Sequence, residues 1–186
     1  MSTERNPLDA KTYAILFLLL SVAALLFYIA ILPPIPCAGC NAKVDFVFSP
    51  DSEGQVIELI RTAQKTIDIE IYTFTSEDII RELGEAEKRG VSVRIIVEPR
   101  TEDTRKDKVV DLLLALGVDV KWASLQYKLT HSKFIIVDGK KALVGSINLS
   151  ESALNKNREA AVVVEGETVK ELATIFEQDW TDATPA

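Results

Sequence analysis

The sequence predicts an α/β domain, a central mixed β-sheet flanked by helices, preceded by one transmembrane helix. Three observations predict it. An uncharged run of 21 residues, Thr12–Leu32, stands near the amino terminus. From Val44 onward, short β-rich runs alternate with amphipathic helical stretches. After Trp122 the alternation stops and strand-like runs follow with little room for helices, an order in which parallel crossover units give way to antiparallel neighbours.

The Thr12–Leu32 run has no polar stripe, which argues against a core helix, and at 1.5 Å per residue it spans about one bilayer core. It is longer than a signal-peptide core, and its exit, Pro33-Pro34-Ile35-Pro36, suits neither signal cleavage nor lipidation at Cys37. An uncleaved single-pass anchor is expected. Arg5 and Lys11 precede it and only Lys43 follows closely, so the positive-inside rule favours a cytoplasmic amino terminus and a catalytic domain on the non-cytoplasmic side. The expected organisation is a tail over 1–11, the anchor over 12–32, a linker over 33–43 and one domain over 44–186. Cys37 and Cys40 form a Cys-x-x-Cys in the linker. A disulfide, an intersubunit bridge or idle thiols fit it better than a redox pair or half a zinc site, because no helix signal follows to lower a thiol pKa.

Within the domain, Val44–Phe48 is expected as a strand, and Ser49–Ser52 as a turn into a helix carrying Val56, Leu59, Ile60 and Ala63 at helical spacing. Ile67–Phe74 alternates as a strand. Thr75 and Asp78 offer a capping box for a helix ending near Gly90. Val91–Val97 predicts a strand, Lys106–Leu116 a helix stopped by Gly117, and Val118–Trp122 a strand. Phe134–Asp138, Lys141–Val144 and Ala160–Glu165 complete the strands. A last helix places Val169, Leu172, Phe176 and Trp180 on one face. Trp122 and Trp180 are expected to pack in the core.

The 186-residue chain carries a net charge of −7, which disfavours long nucleic-acid contacts. Its charge is uneven: Lys121, Lys128, Lys133, Lys140, Lys141, Lys156 and Arg158 face only Asp138 and Glu151 in that stretch, a local +5 between acidic flanks. Such an island suits an anionic substrate at one site. The chain has one histidine, so one copy cannot build a multi-histidine metal site, and no convincing metal cluster is present.

That histidine lies in the island. His131-Ser-Lys133, four residues, Asp138, six residues and Gly145-Ser146-Ile147-Asn148 collect an imidazole, a cation and an amide. On a strand, His131 and Lys133 share a face. Imidazole exchanges a proton or attacks near neutral pH, Lys133 offers a point charge to phosphate, and Asn148 an amide donor.

This H-x-K-x4-D-x6-G-S-x-N pattern, with "FSP", "YTFTSEDII", "KRGVSVRIIVE", "HSKFIIVDGKKALVGSINLS" and "NREAAVVVE" in order, resembles the phospholipase D superfamily. It looks most like the single-motif branch that holds Nuc-type bacterial endonucleases and membrane-anchored Zucchini-type phosphodiesterases. The resemblance covers about Val44 to Trp180 and implies a phospholipase D-like sandwich. It implies that His131 attacks a phosphodiester and forms a phosphohistidine without a metal or other cofactor. Lys133, Ser146 and Asn148 would hold the phosphate. Glu159 would hydrogen-bond the histidine ring, and Asp138 would be structural. The family's general acid is a second histidine, which implies a homodimer with two His131 side chains at one phosphate. The endonuclease blocks make single-stranded DNA or RNA the expected substrate, with a phospholipid as the alternative. The anchor favours a phospholipid such as cardiolipin. A reading of another class, an inactive membrane-tethered phosphate-binding scaffold, is opposed by the intact His131, Lys133 and Asn148.

Overall fold

The apolar run forms one helix, α1 (Ala10–Ile31), in the computed structural model of the protein, which describes residues 9–31, 42–101, 103 and 106–186. The stretch Lys11–Tyr28 is long and apolar enough to cross a membrane, and its described side chains carry almost no burial. Cys37, Cys40, most of the linker and most of the tail lie outside the described residues. Residues up to Cys37 form one unit and the rest of the chain a second.

The second unit begins with β1 (Lys43–Phe48), α2 (Glu53–Arg61), β2 (Thr66–Ile71), α3 (Glu77–Lys88), β3 (Ser92–Val97), α4 (Lys106–Ala115) and β4 (Asp119–Trp122). It continues with β5 (Lys133–Val137), β6 (Lys141–Gly145), α5 (Glu151–Asn155), β7 (Ala160–Glu165), α6 (Val169–Asp182) and β8 (Thr184–Pro185). The strands form one mixed sheet in the order β1-β7-β6-β5-β2-β3-β4-β8. The pairs β2–β3 and β3–β4 are parallel, as their helical crossovers require, and the other pairs are antiparallel.

A core cluster of α2, α3 and α4 side chains, with Val56, Ile60, Ile79, Leu83 and Leu113, packs on one sheet face against Ile67, Ile69 and Ile71. On the other face Phe176 of α6 packs with Ile96, Phe134 and Ile136. The alternation in β2 therefore does not leave its polar side in water. Asp68 and Glu70 are buried beneath α6, and Asp68 is met by Arg94 Nε at 2.7 Å.

Local differences from the sequence expectation have local causes. The α3 cap is Ser76, whose Oγ accepts from Ile79 N, and Thr75 Oγ1 is buried without a partner. α5 and β8 were not expected: one is a five-residue helix, the other a two-residue edge, both too short for a periodic signal. Gly90 and Gly117 end their helices at φ +86° and +91°, the left-handed stop that glycine allows.

Candidate active site

Antiparallel pairing brings the start of β5, the end of β6 and the start of β7 to the same end of the sheet. The end of β2 joins them, with Ile71 opposite Lys133. Tyr72, His131, Lys133, Ser146, Asn148 and Glu159 sit at these strand ends. Residues separated by up to 87 positions thus meet through register.

The His131 ring packs on Tyr72 with centroids 4.6 Å apart and planes tilted by 54°. Lys133 is buried, donates from Nζ to the His131 carbonyl at 2.5 Å and lies 5.2 Å from the Tyr72 ring centre. Burial pushes the Lys133 ammonium below its usual range, and attraction to Glu159 opposes that shift. A partly desolvated cation held at the histidine suits an incoming anion better than a solvated one does.

Asn148 Oδ1 accepts from Thr73 N at 3.1 Å, so its amide NH2 is the end left to donate. Ser146 Oγ donates to Glu159 Oε2 at 2.5 Å and Ala160 N donates back to Ser146 Oγ at 3.2 Å. Glu159 is itself fixed by Ser49, whose Oγ accepts from Glu159 N at 2.9 Å and donates to the Asn157 carbonyl at 2.7 Å. The expected histidine–Glu159 hydrogen bond is absent among the described residues. Glu159 instead takes Ser146, because β6 and β7 are neighbours and their ends bring these two side chains together.

Asp138 stands apart. It closes β5 at the end opposite Lys133, about 17 Å away along an extended chain. Its carboxylate accepts from Gln64 N, Lys65 N and Thr66 N at 3.0, 2.7 and 3.0 Å. The basic island also disperses. Lys140 and Lys141 lie in the β5–β6 hairpin at that far end, Lys121 donates to the Trp180 carbonyl, and Lys156 pairs with Glu151. Arg158 stacks over Phe48 beside the site.

The sequence reading missed Tyr72 and Glu98, and placed Arg100 in a charged loop that lines the groove or forms a solvated helix entrance. Glu98, fully buried after β3, accepts from Thr130 N at 2.7 Å and from Arg100 Nε at 2.5 Å, and Arg100 Nη1 donates to the Tyr127 carbonyl at 2.7 Å. Together they clamp the loop that delivers His131. A charged residue directly after a buried strand was the available signal.

Gly145 is required by contact. A Cβ there would lie 2.4 Å from Ala160 O and 2.5 Å from Ala161 Cα. Gly145→Ala is expected to wedge β6 from β7 where Ser146 meets Glu159. A loss of about 2 kcal/mol in denaturant unfolding is expected, with at least tenfold lower activity. Unchanged stability would show that the strands part without cost.

The sequence family described as cardiolipin synthase, PLD-like domain, matches residues 56–180, two thirds of the chain. The chain belongs to the phospholipase D superfamily. Within this superfamily it is 30% identical to the mitochondrial cardiolipin hydrolase of Mus musculus over 83% of this chain and 68% of that one. It is 30% identical to the corresponding Chlamydomonas reinhardtii protein over 68% of this chain, and spans 56% of that protein's length. Among solved structures, the phospholipase D family member Nuc from Salmonella typhimurium matches with a TM-score of 0.74 and 27% identity, over 78% of this chain and 99% of that one. The α/β mixed sheet is thus the phospholipase D fold.

Proposed function

We propose that this superfamily member hydrolyses phosphodiesters without a metal, through a phosphohistidine at His131, at a site completed by a second copy of the chain. The observation that supports it is the meeting of imidazole, buried ammonium, amide and hydroxyl at one sheet end. A His131 ring nitrogen attacks phosphorus, the phosphorus–nitrogen bond forms and the bond to the leaving oxygen breaks. Lys133 and Asn148 stabilise the charge that gathers on the phosphoryl oxygens, and Ser146, held by Glu159, borders the same space. The leaving oxygen needs a proton, and the chain has only one histidine. His131 of a second copy, across a two-fold axis, supplies it. Water then attacks phosphorus, gives its proton to that second imidazole and frees His131.

The substrate reading that the geometry supports best is an anionic phospholipid, the class named for the cardiolipin hydrolase relatives. Leu125, Tyr127 and Leu129 are 71%, 51% and 39% exposed, alternate with Gln126 and Lys128, and lead directly into His131. Arg100 and Glu98 pin the backbone of this loop, so its apolar side chains stay displayed beside the histidine. The anchor helix would keep the domain at a bilayer, on the non-cytoplasmic side by its flanking charges. Single-stranded nucleic acid is the second reading, favoured by the likeness of the sequence blocks to the endonuclease branch. Among the described residues, the dispersed lysines give it no continuous basic track.

The test is the full-length protein in nanodiscs, with EDTA, offered cardiolipin vesicles and end-labelled single-stranded DNA and RNA, with His131→Ala as control. Lipid cleavage lost in the control supports the first reading, nucleic-acid cleavage the second, and cleavage of neither overturns the proposal. Serine at positions 125, 127 and 129 together is expected to lower vesicle hydrolysis at least tenfold and to spare a soluble short-chain phosphodiester, since partial insertion of three such side chains is worth about 2 kcal/mol or more. Equal loss on both substrates would place the loop in folding or chemistry instead.

A further inference from the structure

A second group of acids lies behind the histidine. Glu70 is 2% exposed near the end of β2, between Ile96 of β3 and Phe134 of β5 on its lateral sides. It lines a cavity of about 240 Å³ with His131, Ser132 and Asp179 of α6. Ser132 Oγ donates to Glu70 Oε1, whereas Glu70 Oε2 is buried with no donor. Asp179 lines the same cavity, and its charge acts on Glu70. Two carboxylates cannot share such a place while both are charged, but one proton between them satisfies both.

We propose that Glu70 is a positioning residue: as a neutral acid it bridges Ser132 and Asp179, and so fixes His131 and Lys133, the neighbours of Ser132, against α6. The inference rests on the proposed chemistry for its catalytic consequence alone. Nearby charges on the surrounding elements are committed elsewhere. On β2 and β3, Asp68 and Arg94 pair with each other, and Arg94 also holds Glu177 of α6 at 2.6 Å. Glu98 is taken by Arg100 and Thr130. Lys121 of β4 lies on Trp180, and Lys133 donates to the His131 carbonyl. The remaining titratable neighbours are Tyr72, beneath the His131 ring, and Tyr127 and His131 in the cavity wall. Burial, with the Asp179 charge, raises the Glu70 carboxyl to about 7, while the Ser132 hydroxyl pulls the other way. The bridge is therefore present below neutral pH and lost as pH rises through that value. Above it, two adjacent carboxylates repel, so the link breaks between Glu70 and Asp179 of α6 while Ser132 stays on Glu70.

The lone histidine makes the test direct, because its imidazole gives one assignable resonance in the full chain. In 13C-histidine-labelled full-length protein in micelles, the wild-type His131 titration is expected to be biphasic, with one phase from Glu70. Glu70→Gln, which keeps the bridge uncharged, is expected to give a single-site curve. Asp179→Asn, which removes the repelling charge, is expected to move the second phase to lower pH. Identical titrations in wild type and both variants would overturn the proposal. In activity, the ratio of Glu70→Gln to wild-type kcat/KM is expected to rise from near one at pH 6 to several-fold at pH 8.5. A biphasic titration without any phosphodiester cleavage would sink the proposed function and leave the bridge standing. A single-phase wild-type curve would do the reverse.

Discussion

Alanine at position 131 is expected to abolish phosphodiester cleavage, with a loss of about 1000-fold or more, while the melting temperature barely moves. The ring is exposed and its described contact is the face of Tyr72, so its removal costs little packing. On the proposed mechanism the chemistry would lose both its nucleophile and, from the second copy, its proton donor, each worth about 100-fold or more. Rapid quench of wild type with 32P-labelled substrate, kept alkaline, is expected to trap label on the protein, and the variant to trap none. A sharper form of the test uses mixed dimers with one wild-type and one His131→Ala chain, isolated by two tags. A shared site then has one histidine where two are needed, so activity per dimer falls at least 100-fold. Half the wild-type activity would show instead that each chain works alone.

The sequence made the candidate site groups legible because they lie in one stretch whose spacing is set by a hairpin. His131, Lys133, Ser146 and Asn148 flank β5 and β6, and a tight hairpin returns the chain to where it began. The same hairpin defeated the charge reading. It carries Lys140 and Lys141 to the far end, so neighbours in sequence became opposites in space. Tyr72, Glu98 and Glu70 were not legible, since their roles arise from parallel and antiparallel register across β2, β3 and β5 and from α6 closing over the sheet. Strict alternation in β2 suggests a solvated face, and only the packing of α6 shows that Glu70 is buried. The role assigned to Glu159 is a histidine hydrogen bond that one chain does not show among the described residues. Its carboxylate lies at the right sheet end, but the adjacent strand supplies Ser146 as its partner.

The motif's aspartate separates structure from chemistry, and Asp138→Asn is expected to lower stability without touching the rate of the folded enzyme. Three backbone N–H groups at the start of β2 point at this one carboxylate, and Asp138 N donates to the Thr66 carbonyl at 3.0 Å in return. Asp138 holds φ at +52°, a conformation that asparagine tolerates well, so the substitution isolates the lost charge. An amide turned either way offers one acceptor and sets an NH2 against a donor. Hydrogen bonds to a charged group are worth roughly 1.5–3 kcal/mol each, and partial exposure favours the lower end, so a loss of about 2 kcal/mol is expected in urea unfolding. Burial raises the Asp138 carboxyl, but the N–H groups of Thr66, Gln64 and Lys65 outweigh it and hold it below the usual carboxylate range. A lowered native pKa means that the stabilisation is complete above the unfolded value, near 3.9, and fades as pH falls through the native one. The gap between wild type and variant should therefore be constant from pH 6 to 8 and close in acid. At 25 °C and neutral pH, kcat of the variant should match wild type, because Asp138 stands a full strand length from His131. A large drop in kcat with unchanged stability would instead move Asp138 into the reaction.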